Sequence, residues 1–147
     1  ASQNAKIIPP GTGLMVKSAG NAKAATLTGH VRMNPWRRSL SKGQNFLALP
    51  WPVDATPQSL GLTAECGFTA ATSTAQADEL HISKADAAAG TITYDAFWLI
   101  KRAPTPYWTA KNSSSLLNVS TSLRLPAHRA FFLRAQPATA VKGWLIP

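Results

Sequence analysis

The sequence predicts an all-β fold, an antiparallel β-sandwich or partly open barrel with one or two short helical turns. Three observations carry that prediction. Short segments rich in Val, Ile, Leu, Thr and aromatics recur between Gly, Pro, Asn and Ser breaks, as strands recur between turns. Helical periodicity is nearly absent. At 147 residues, 45% of them hydrophobic, the chain can bury a core without a disulfide or metal staple. Residues 1–147 therefore read as a single β domain, with no linker long enough to divide it.

Strands are expected near 13–17, 25–32, 44–49, 79–83, 90–102, 107–110, 116–123, 130–135 and 141–146. The longest sends Ile92, Tyr94, Ala96, Trp98 and Ile100 to one face and Thr91, Thr93, Asp95, Phe97, Leu99 and Lys101 to the other, because side chains alternate along a strand. Its first half is then wet on one side and its second half apolar on both, as in a central strand leaving the core, with Trp98 filling that core. Thr56-Pro57 puts an N-cap hydroxyl before a proline at the first helical position, a start signal for a short helix that Gly61 ends. The stretch 72–80 supports another helical turn. Pro50, Pro52, Pro57, Pro104 and Pro106 fix strand exits, since proline cannot donate to a ladder. Gly11-Thr12-Gly13 is too short for a phosphate cradle and reads as a turn.

The tail repeats the head. Leu125-Pro126 and the strand after it match the pattern of Ile8-Pro9 and the strand from Gly13: aliphatic-Pro, a loop, a tiny residue, three apolar residues, a base. Setting Pro9 against Pro126 also sets Leu27 against Trp144. A module followed by a second copy of its own closing hairpin leaves a ribbon in need of a partner. Two similar hairpins in one sheet would leave the same pattern. On the first reading residues 1–32 form an exchanged hairpin. Leu14, Val16 and Leu27 would act as the assembly strand, and Phe131, Leu133 and Trp144 as the receiving edge or its internal equivalent.

Fifteen Lys and Arg against six Asp and Glu give a net charge of +9, which favours anionic partners at low salt. The bases stand singly apart from Arg37-Arg38 and Lys101-Arg102, so a nucleic-acid reader is not expected. A polysaccharide or another anionic surface suits the charge better. No apolar run approaches the length of a membrane span. The start at Ala1-Ser2-Gln3 without Met, the 14% charged content and the abundance of Ser and Thr lead us to expect an exported bacterial protein, secreted or on the cell surface. Asn112-Ser113-Ser114 and Asn118-Val119-Ser120 would accept glycans only in a host with that machinery. Cys66 is the one cysteine, so no internal disulfide forms, and it reads as a small buried hydrophobe.

Chemistry-bearing constellations are sparse. Asp78 and Glu79 are the only adjacent acids and, pointing to opposite faces of any strand, read as a surface turn. Asp78, Glu79, His81 and Asp86 match neither a zinc nor a calcium spacing, so no metal is expected. His30, His81 and His128 lack a nucleophile signature, with His30 and His128 read as exposed turn or strand-edge residues. No catalytic residues and no cofactor are assigned. Trp36, Trp51, Tyr107 and Trp108 could form a stacking platform for sugar rings, the basis of a carbohydrate-binding alternative.

The stretch Gly43-Gln44-Asn45-Phe46-Leu47-Ala48-Leu49-Pro50 resembles the Gly-x-Asn-x-x-x-Leu-Pro segment of secreted β-rich modules in bacterial surface proteins, with Gln44 where those modules often carry Trp. Leu125-Pro126 and the strand after it are similar to the closing hairpin of such modules. The resemblance implies export and a β fold and brings no catalytic residues. The expected function is that of a non-catalytic exported subunit that assembles with copies of itself, as a filament or surface layer, by strand addition.

Overall fold

The computed structural model describes residues 11–15, 35–49, 52–86, 89–127, 129–137 and 144–146. These form an all-β architecture with seven strands: β1 (Trp36–Arg38), β2 (Gly43–Leu47), β3 (Glu79–Asp86), β4 (Thr91–Ile100), β5 (Tyr107–Ala110), β6 (Phe131–Ala135) and β7 (Trp144–Ile146). Five make one antiparallel sheet in the order β2-β6-β3-β4-β5, which does not close on itself. The other two, β1 and β7, pair as a separate antiparallel ribbon. Among the described residues helix is limited to 3-10 turns at Ala64–Cys66 and Thr74–Gln76. Among the described residues no helix is long and apolar enough to cross a membrane.

Alternation decides which face of the sheet is core. Leu47, Phe131, Leu133, Leu80, Leu99 and Trp108 fall on one face, and all are buried. Loop residues Leu60, Leu62, Phe68 and Leu125 cover them, together with the β7 indole of Trp144. The two buried indoles need acceptors, and both find them in one turn: Trp108 Nε1 donates to Leu62 O at 2.6 Å, and Trp144 Nε1 to Leu60 O at 2.7 Å. That turn opens as the Thr56-Pro57 signal indicates. Ser59 N–H donates to Thr56 Oγ1 (3.1 Å) while Thr56 N–H donates to Ser59 Oγ (2.8 Å), a reciprocal cap. A hydrogen-bonded turn follows in place of the expected short helix, with Leu60 N–H on Thr56 O, Leu62 N–H on Pro57 O and Gly61 left-handed at φ +65°.

The Gly-x-Asn stretch has a structural role. Gly43 sits at φ +89°, where a side chain would be strained. Asn45 accepts from Ser41 N–H and, through Nδ2, faces the carbonyls of Ser41, Gly43 and Leu133 at 2.8 to 3.2 Å. Its amide therefore ties the turn before β2 to the neighbouring strand.

Several expectations change. Residues 116–123 form an irregular segment with a turn at 120–122 rather than a strand: Asn118 Oδ1 accepts from Ser120 N–H (2.9 Å) and Leu116 is left-handed at φ +46°, so local side-chain bonds replace a ladder. The short strand β1 was not expected. Of the expected strand at 13–17, only 13–15 is described, and in this segment just Thr12 makes a bridge, to Leu47. The β4 residues Thr91 to Asp95 are exposed on both faces, not one, because the β3–β4 hairpin projects past the layer that covers the core. Trp98 is buried, but in a smaller cluster with Ala77 and Ile100 on the opposite face. Cys66 is exposed, since its 3-10 turn lies outside the core. The expected strand at 25–32, His30 and His128 fall outside the described residues.

Candidate functional site

The first three outward-facing residues of β3 are Glu79, His81 and Ser83, opposite Leu80 and Ile82. Glu79 was expected in a surface turn, yet it is 1% exposed. The cross-strand register explains this. Glu79 stands opposite Arg134 of β6, whose Nη2 donates to its Oε1 at 2.8 Å. From the other side Lys111, just past β5, donates to the same oxygen at 2.9 Å. Its backbone is bonded to Ala96, whose small side chain leaves a path across β4. His81 Nε2 donates to Oε2 at 3.0 Å. One carboxylate thus ties β3, β6 and the end of β5, and Arg134 continues to Thr74 O at 3.1 Å.

Asp78 is likewise buried rather than in a surface turn. Its Oδ2 accepts from Thr69 N–H (2.9 Å) and its Oδ1 from Gln136 N–H (2.7 Å), which fastens the loop before β3 to the residue after β6. Among the described residues two buried side-chain donors lack a partner, Arg134 Nε and Thr109 Oγ1. Thr109 is two positions across the sheet from Glu79, beyond Trp98, so the two donors do not converge on one ligand. Elsewhere, burial lowers the pKa of the Arg38 guanidinium from its usual value.

Glu79, His81 and Ser83 form an acid-base-hydroxyl line on one strand, but they do not form a relay. Ser83 Oγ is directed at Ala130 O (3.5 Å) and makes no hydrogen bond to His81. The Glu79 carboxylate is engaged by its three partners and holds the sheet together.

Further along the same face lies a shallow groove of about 200 Å³, lined mainly by Leu14, Met15, Phe46, Ile92 and Tyr94, with Arg129 at its side. Two of its lining rings, Phe46 and Tyr94, belong to an aromatic row centred on Phe132, which stacks obliquely on Phe46 (4.6 Å between centroids) and edge-on to Tyr94 (5.7 Å). Gly13 crosses the row. A Cβ there would lie 2.6 Å from the Phe46 ring, so this close approach requires glycine.

The residues singled out from sequence are distributed unevenly over this frame. Leu14 is 46% exposed beside the groove, while Val16, Leu27 and Trp51 lie outside the described residues. Phe131 and Leu133 occupy the internal position rather than an edge, because β6 pairs with β2 on one side and β3 on the other. Trp144 turns its indole into the core, edge-on to Phe68. Trp108 is 1% exposed and bonded to Leu62 O, so it offers no face to a sugar, and the stacking platform loses its central member. Tyr107 is half-buried, its hydroxyl donating to Leu116 O at 3.0 Å. Of Trp36, only the backbone in β1 is described.

The buried Glu79 cluster escapes sequence reading because its bases are 32 and 55 residues away. One signal was available: Glu79 and His81 share a strand face in a chain with far more bases than acids. No protein-family model matches the chain, and no curated protein and no solved structure matches it.

Proposed function

We propose that this chain is a non-catalytic structural β module, exported to the cell surface, that assembles with copies of itself by adding a strand to the free edge of its sheet. The observation that carries the reading is the exposed edge of β2. Ala48 N–H donates outward to Gly11 O at 2.9 Å. Hydrogen-bonding directions alternate along a strand, so the backbone groups of Gln44 and Phe46 face the same outer side. The Gly11–Gly13 segment meets that side at Phe46, through its antiparallel bridge of Thr12 to Leu47; among the described residues nothing pairs with Gln44 there, and unpaired N–H and C=O groups on a strand edge are a template for another strand. Leu14 follows the one described segment that touches this edge in cis, which makes the early ribbon the natural donor in trans. The commitment of Glu79 to its three partners, and of Ser83 to Ala130 O, supports a role without catalysis.

Sedimentation velocity across a concentration series, with electron microscopy of the concentrated protein, tests the proposal. The parent chain is expected to form concentration-dependent oligomers. Gln44→Pro removes an outward N–H without touching the β2–β6 ladder and should leave a folded monomer. A parent chain that stays monomeric at every concentration would end the proposal, as would a Gln44→Pro chain that assembles as the parent does.

A further inference from the structure

Four of the six large apolar side chains that are exposed among the described residues gather at one end of the sheet: Leu14 (46%), Met15 (66%), Ile92 (59%) and Tyr94 (41%). They rim the groove above the Phe46–Phe132–Tyr94 row. At about 200 Å³ the groove is smaller than the pockets that enclose small ligands, so the patch suits a surface laid against it. Among the described residues that line it the charge has one sign: Arg129 is the charged one, its Nη1 donating to Ser83 O at 3.4 Å, and none is an acid. Asp95 is on the opposite face of β4, where Lys84 of β3 also stands. With +9 over the whole chain, a second copy would meet this patch with like charge, whereas an acidic apolar surface would complement it.

We propose that this end of the sheet docks on an anionic lipid surface, with Ile92, Tyr94, Leu14 and Met15 entering the headgroup boundary and Arg129 meeting lipid phosphate. The hairpin suits that role because Thr91 to Asp95 extend past the core, so their apolar groups can be buried without unfolding anything. A tyrosine with an apolar ring and a polar tip belongs at such a boundary. Neither attraction is strong alone: a few apolar side chains and a modest positive charge bind reversibly and only together. The inference does not depend on edge pairing at β2, so a Gln44→Pro monomer should still bind lipid.

The test is co-sedimentation of the full chain with vesicles of phosphatidylcholine alone or mixed with phosphatidylglycerol. The parent should bind the mixed vesicles and not the neutral ones, with binding lost at high salt. Ile92→Glu and Tyr94→Glu should weaken binding about tenfold. Thr93→Glu makes the same charge change one residue away on the opposite face and should weaken it much less. Circular dichroism would confirm that each variant is folded. Absence of binding by the parent would overturn the proposal, and so would equal losses in Ile92→Glu and Thr93→Glu, which would reduce the interaction to net charge. Equal, substitution-insensitive retention on a soluble anionic polysaccharide would overturn it in the same way.

Discussion

The two edges of the five-stranded sheet are finished differently. At β5 the outer side of Trp108 is covered: its N–H donates to Ser120 Oγ at 2.9 Å, and its carbonyl accepts from Val119 N–H at 2.8 Å. At β2 the matching position Gln44 has no described backbone partner, and cover from the same chain begins only where Thr12 bridges Leu47 and Gly11 O accepts from Ala48 N–H. A loop that folds back with its own hydrogen-bonding side chains satisfies an edge in cis, whereas an edge without one invites a strand from elsewhere. Glu79 lies between the two, drawing Arg134 from the β2 side and Lys111 from the β5 side.

This contrast can be broken from either side. The largest effect is expected from Trp108→Ala, which removes a fully buried indole and orphans Leu62 O at the covered edge. It should cost about 3–5 kcal/mol in urea-denaturation stability, and a loss below 1 kcal/mol would mean that the β5 edge is not anchored through its core. Glu79→Gln comes next. It strips Lys111 and Arg134 of their shared carboxylate, and because both bases are about a third exposed, the loss should be about 2 kcal/mol rather than that of a wholly buried pair. Added salt should matter less to the variant than to the parent, which denaturation at two ionic strengths would read. Ser120→Ala should cost about 1–2 kcal/mol by leaving Trp108 N–H unpaired, and it should make the β5 edge adhesive, raising oligomer size in sedimentation. Gln44→Pro is expected to have the smallest effect on stability, about 1 kcal/mol or less, while abolishing assembly. A large destabilisation there would place the Gln44 N–H inside the sheet ladder.

Much of the fold could be read from composition and alternation. The core strands β2, β3, β4, β5 and β6 fall where apolar runs sit between Gly, Pro and Asn breaks, and the Thr56-Pro57 turn opens as its capping residues dictate. The misreadings have a common cause. Residues 116–123 have strand-like apolar content, but Asn118 and the nearby serines bond their own backbone instead. Trp108 could be read as a member of a sugar-stacking platform because one strand cannot indicate which of its faces a distant loop will cover. The candidate site was the least legible part. The acids Asp78 and Glu79 are polar at a strand start, which in isolation means a turn. Burial becomes tolerable only once Thr69, Gln136, Lys111 and Arg134 arrive to satisfy them.

The residues by themselves determined that the chain would be β, where its main strands would run, which side chains would share a face, and that it would carry a strong positive charge. These follow from local backbone preference, period-2 alternation and counting. Only the tertiary structure decided which face became core, that β6 took an inner place and β2 an outer one, and that a lone carboxylate would gather bases from across the sheet. Those outcomes depend on contacts between residues far apart in the chain, and the free energy of a buried charge or an unpaired strand edge is set by whichever neighbours the fold supplies.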